Sequence, residues 1–200
     1  MSEFGLLVGL IFANNLLLDH MLGIDPAVAA SRKFEVATGL ALVCLFLFPL
    51  IAVVSYFLHA WVLQPLGLGH LNLITVVFAI AGIVMVAERL LLERRPLLWQ
   101  TYGVFLPILT VNSGVVGIAV LAFAHVQTLF GAFCLGIGAG LGYGLVLVLF
   151  AGLRERIDAS DVPEAFAGIP IALITLGIMS LGFLGFQGVL GAAGFSGSYG

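Results

Sequence analysis

Charge is what this sequence has least of. Only 8% of its 200 residues are Asp, Glu, Lys or Arg, while 62% are hydrophobic, and the mean hydropathy is +1.24. A water-soluble domain of this size cannot cover its surface with so few charges. The net charge of −3 gives no reason to expect a nucleic-acid partner. Cysteine is almost missing too: Cys44 and Cys134 each lie in an apolar run and form neither a spaced metal motif nor an evident disulfide pair. They read as small packing residues. No basic stretch precedes the first apolar segment, so no cleavable leader is expected and that segment should be retained. Gly136-Ile137-Gly138-Ala139-Gly140 has no strand before it, which excludes a dinucleotide-binding turn.

What remains is long apolar runs. About 20 such residues cross a hydrocarbon core of roughly 30 Å as a helix. Six stretches qualify: 4–21, 34–58, 71–87, 98–124, 129–151 and 165–190. Helices are expected because unpaired backbone groups are too costly in lipid. The fold expected is therefore all-α and polytopic, a single membrane domain over 1–190, with a flexible tail over 191–200. The seven basic residues are Arg32, Lys33, Arg89, Arg94, Arg95, Arg154 and Arg156, all after the first, third and fifth spans. The loops after the second and fourth have no Lys or Arg. The positive-inside rule then puts the basic loops in the cytoplasm and both termini on the opposite side of the membrane. Trp61 and Trp99 fall near span ends, as interfacial belt residues do.

The stretch from Arg154 to Pro163 reads as a loop that leaves the membrane and re-enters. Pro163 stands near the start of the next helix, where a missing N–H costs little. Its charges either set topology alone or offer a docking surface to cytoplasmic subunits. In the fifth span Gly136, Gly140 and Gly144 recur every fourth residue, as do Gly138 and Gly142. Such small-residue stripes let helices approach closely.

Two polar interruptions stand inside apolar spans. The first runs from Asn14 and Asn15 through Asp19, His20 and Asp25 to Pro26; the second holds Pro107, Thr110, Asn112, Ser113 and Gly114. Pro107 removes a helix hydrogen bond, and Asn112 and Ser113 can reach the freed groups. Each break opens a group of three spans, so the halves, about 1–95 and 96–190, lie in opposite orientation. That is a 3+3 inverted repeat with broken first and fourth helices, the arrangement in which transporters place sites. Ionisable side chains at membrane depth are functional by default. Asn14, Asn15, Asp19, His20, Asn112 and Glu88 are accordingly candidates for an ion pathway. Asp and His could pass protons, or Asp and Asn oxygens could line a cation route. The competing reading is a short first helix that leaves Asp19 to Pro26 at the interface.

Nearly the whole chain resembles the RnfA/NqrE family of membrane subunits, and most closely its RnfA branch. The residues that carry this are Asn14-Asn15, Leu22-Gly23, Pro26, Ser31-Arg32-Lys33, Phe105-Leu106-Pro107, Thr110 and Asn112. Gly138 to Gly142, Leu145 to Ala151, Leu153 to Ile157, Asp161-Val162-Pro163 and Met179-Ser180-Leu181 continue it. The resemblance implies a translocase subunit in an Rnf-type complex that couples electron transfer to Na⁺ or H⁺ movement. It implies a homologous RnfE-like partner of opposite orientation, and RnfB, RnfC, RnfD and RnfG-like subunits. It also implies a two-iron two-sulfur cluster shared with the partner, each subunit giving two cysteines from its broken helices. Here Leu22-Gly23-Ile24-Asp25-Pro26 and Thr110-Val111-Asn112-Ser113 stand at those motifs, with Asp25 and Ser113 in place of both cysteines. Three readings stay open: a cluster held partly by oxygen at Asp25 and Ser113, a redox-silent structural paralogue, and a stand-alone ion carrier or channel.

Overall fold

The computed structural model describes residues 9–13, 15–94 and 112–192. Among them it is all-helical, with six α-helices: α1 Ile24–Ala30, α2 Phe34–Phe57, α3 Asn72–Arg94, α4 Ser113–His125, α5 Leu129–Asp158 and α6 Ile169–Ala192. A π-helical segment, Gly9–Ala13, precedes α1, and another, Leu58–Leu63, prolongs α2. Four helices are long and apolar enough to cross a membrane, and α4 is a shorter apolar helix.

The spans expected at 34–58, 71–87, 129–151 and 165–190 correspond to α2, α3, α5 and α6. Those expected at 4–21 and 98–124 are interrupted where described. From residue 15 through residue 23 the chain is non-helical, and α4 begins at Ser113. Residues 1–8, 14, 95–111 and 193–200, with Asn14, Trp99, Pro107 and most of the expected tail, lie outside the described residues. Trp61 is 72% exposed and stacks on Phe57, as a belt residue would.

Two local expectations are corrected. Arg154, Glu155 and Arg156 are not in a loop, because α5 continues to Asp158. The proline in the first turn of α6 is Pro170; Pro163 instead opens a turn, its carbonyl accepting the N–H groups of Phe166 and Ala167.

The core is the α2–α5 pair, the most extensive contact in the chain. Glycine allows it. A Cβ on Gly136 would strike the backbone of Pro49, and one on Gly140 would lie 3.1 Å from Leu45 Cα. Gly144 faces Ala41. The second stripe turns elsewhere: a Cβ on Gly142 would lie 2.8 Å from the Leu10 carbonyl oxygen and 2.9 Å from Asn15 Nδ2. One helix thus packs closely on two partners by presenting glycine to each. Phe48, Ile51, Tyr143, Leu147 and Phe150 fill the space between and are fully buried.

Candidate functional site

Both interruptions are repaired by asparagine. Asn15 is 1% exposed; its Nδ2 donates to the Ile11 carbonyl and its Oδ1 accepts the Leu17 N–H. These bonds close the end of the π-helical segment, where backbone groups are freed. Asn112 is the N-cap of α4, and its Oδ1 accepts the Gly114 N–H at 2.8 Å. Its Nδ2 is buried without a partner among the described residues.

The breaks meet. The Gly23 N–H donates to Ser113 Oγ at 3.0 Å, and Tyr143 Oη donates to the Gly23 carbonyl at 3.0 Å. Gly23 has φ 82°, a left-handed conformation that favours glycine, and a Cβ there would lie 2.8 Å from Tyr143 Cε2. Met21 shares the positive-φ region, at 54°. The chain is thus bent sharply just where it touches the second break.

The depth of the junction follows from the helices that hold it. Tyr143 stands midway along the 30-residue α5. Ser180, whose Oγ donates to the Leu18 carbonyl at 3.0 Å, stands midway along the 24-residue α6. From the junction, α1 leads through 7 residues to the basic turn and α4 through 13 residues to the turn at 126–128. At 1.5 Å per residue these are about 10 Å and about 20 Å, together roughly the thickness of the hydrocarbon core. These lengths favour breaks within the span over an interfacial position for Asp19 to Pro26.

The remaining candidates divide. Asp19 and His20 approach each other at 3.9 Å, with their side chains 31% and 32% exposed. Asp19 lines a small cavity with Asn15 and Ser180. Asp25 is exposed in the first turn of α1, on an open groove shared with Arg32, Ile169 and Leu173. Ser113 is exposed as well. Glu88 lies half-buried on α3, and none of the contacts described at the junction involves it.

Three residues missed in the sequence complete the site. Tyr143 pins the first break, and Ser180 reaches it from α6. Arg154, 4% exposed, donates from Nη1 to the Val28 carbonyl at 2.7 Å and to Ser31 Oγ at 2.9 Å. It holds the C-terminal end of α1, where a cation is favoured. In the sequence Ser180 and Arg154 stand out only within stretches that carry the family resemblance, Arg154 also as a basic residue near a span end, and Tyr143 only as a polar side chain inside an apolar run.

The donor set does not fit a thiolate-held cluster. Ser113 Oγ already accepts the Gly23 N–H. Asp25 and Ser113 offer hard oxygen where soft sulfur is favoured. Cys44 and Cys134 are buried and belong to α2 and α5, not to either break segment. Among the described residues no group of three or more His, Cys, Asp or Glu could hold a metal.

The family described as "Rnf-Nqr subunit, membrane protein" matches residues 4–190. The chain is 42% identical over 191 residues to the subunit designated A in the ion-translocating oxidoreductase complex of Thioalkalivibrio sulfidiphilus, covering 95% of this chain and 100% of the relative. It is 45% identical over 192 residues to the subunit of the same name from Pseudomonas paraeruginosa, covering 95% and 99%. It is 38% identical over 193 residues to the subunit designated A in the Na(+)-translocating ferredoxin:NAD(+) oxidoreductase complex of Acetobacterium woodii, covering 94% and 98%.

Proposed function

This chain belongs to the Rnf-Nqr family of membrane subunits, and we propose that it forms part of the membrane core of an Rnf-type complex that couples electron transfer to movement of Na⁺ or H⁺. The observation that carries this reading is the contact of the two breaks at mid-depth, Gly23 N–H to Ser113 Oγ. A membrane anchor alone needs no such interruption; a subunit on an ion route does.

The halves are related as an inverted repeat. Support comes from matching parts: a half-helix after each break (α1, α4), a central helix in the α2–α5 contact and a largely exposed outer helix (α3, α6). Both termini lie on the periplasmic side of the inner membrane, as the distribution of basic residues supports. An RnfE-like subunit of opposite orientation covers Asp25 and Ser113, both exposed in the isolated chain. RnfB, RnfC, RnfD and RnfG-like subunits complete the assembly.

The protein works there without a thiolate-held cluster of its own. The two-iron two-sulfur cluster is the expectation for the family, and the oxygen donors at both ligand positions argue against it here. The chain is one part of a translocase, not a complete enzyme.

Purification of the tagged chain from native membranes tests the assignment: co-isolation with other membrane redox subunits is expected, and isolation as a lone protein would overturn it. Iron analysis and low-temperature EPR on the same complex test the cofactor reading. No reducible iron–sulfur signal should depend on residues 25 and 113. A signal that weakens in Asp25→Ala contradicts it.

A further inference from the structure

We propose that Asp19, Asn15 and Ser180 form a mid-membrane site for the small cation the complex moves, Na⁺ or a proton, carried on the Asp19 carboxylate. This rests on the ion-translocating reading above and names the place within the chain where the ion stops.

The site is a cavity of about 10 Å³ between the first break and α6, lined by Asn15, Asp19 and Ser180 and by the apolar Phe12, Leu18 and Phe183. That is about the space one water molecule requires, and a dehydrated Na⁺ is no larger. Its depth is set by Ser180, midway along α6 and bonded to the residue preceding Asp19. A carboxylate at that depth is expensive unless it serves a function.

The hydrogen bonds decide the sign of the ligand. Ser180 gives its proton to the Leu18 carbonyl, and Asn15 gives an amide proton to Ile11. Ser180 Oγ then has only lone pairs to offer, and Asn15 Oδ1, which accepts the Leu17 N–H, has one more. With the Asp19 carboxylate they make a hard-oxygen set, suited to Na⁺ or to a protonated carboxyl. No charged or histidine side chain occurs in α6 from Ile169 to Ala192. His20, on the same break, is a titratable group 3.9 Å from Asp19. Asp19 reaches the cavity from the first break, where its N–H is bonded to the Asn15 carbonyl.

The assembled complex from native membranes serves for the test, with a labelled carbodiimide that attacks protonated carboxyl groups in apolar surroundings. Asp19 should be labelled. If Na⁺ is the cargo, saturating Na⁺ against a choline control lowers labelling at least fivefold. If the proton is the cargo, Na⁺ has no effect and labelling falls as pH rises. Absence of label at Asp19 in both arms overturns the site. In proteoliposomes, Asp19→Asn should lower redox-driven ion uptake at least tenfold while co-purification and electron transfer persist, and Asp19→Glu should recover part of it. Ser180→Ala, a milder change, should raise the half-saturating cation concentration severalfold. Wild-type uptake in Asp19→Asn overturns the site yet leaves the complex assignment standing; a chain that purifies alone overturns both.

Discussion

The α2–α5 pair and the outer helices α3 and α6 are built from similarly apolar sequence and end in different places. Of the most apolar eighteen-residue windows, 50% is buried within the chain in α2 with its extension and 67% in α5, against 17% in both α3 and α6. Lipid is as apolar as leucine, so hydrophobicity cannot choose which helices go inside. Backbone approach chooses. In α5 a Cβ on Gly136 or Gly142 would meet backbone atoms, whereas Gly177 and Gly182 of α6 have nothing within 4 Å. The glycines of α5 create contact; those of α6 face open space and leave that helix to lipid and to partner subunits. The junction depends on this pair, because Tyr143 and Gly142 of α5 hold the first break in place.

The sharpest way to break the comparison is Gly136→Leu. The side chain would enter the Pro49 backbone, which cannot yield as a flexible side chain would. A loss on the order of 3 kcal/mol is expected, read as a lower thermal aggregation midpoint in detergent. Arg154→Met comes next, at about 2 kcal/mol, since it removes two charge-assisted bonds at the end of α1 and leaves the Ser31 hydroxyl and the Val28 carbonyl only each other. Arg156→Met on the exposed side of the same turn should leave the midpoint unchanged. Tyr143→Phe removes one hydrogen bond to Gly23 and should cost about 1 kcal/mol. Amide exchange at residues 15–23 should rise more than exchange in α2. The smallest effect belongs to Gly177→Ala, within about 0.5 kcal/mol. If it destabilises as much as Gly136→Leu, the division into packing and lipid-facing glycines is wrong.

Much of the site was legible in order and little of it in contact. Asn15 and Asn112 were singled out as polar groups in apolar runs, and both repair the breaks. The two glycine stripes were visible as spacing, but their different partners were not. Arg154 read as a topology signal because arginine usually marks a loop; here α5 runs on and buries it against the end of α1. Ser113 and Asp25 stood together on family resemblance. In the fold, Ser113 bonds to Gly23 while Asp25 faces the groove beside Arg32. Ser180 carried no local signal, since a lone hydroxyl in an apolar helix usually bonds its own backbone.

Hydropathy, the distribution of seven arginines and lysines, and two asparagine-bearing interruptions settle by themselves that this is a helical membrane protein with broken spans. Each is a transfer cost or a backbone deficit that a linear stretch incurs wherever its neighbours are. Which break touches which, at what depth, and with which side chains facing the gap belongs to the tertiary structure alone. Those contacts join residues 90 to 162 positions apart, Gly23 with Ser113 and Leu18 with Ser180. Only close packing on glycine brings such partners within hydrogen-bond reach.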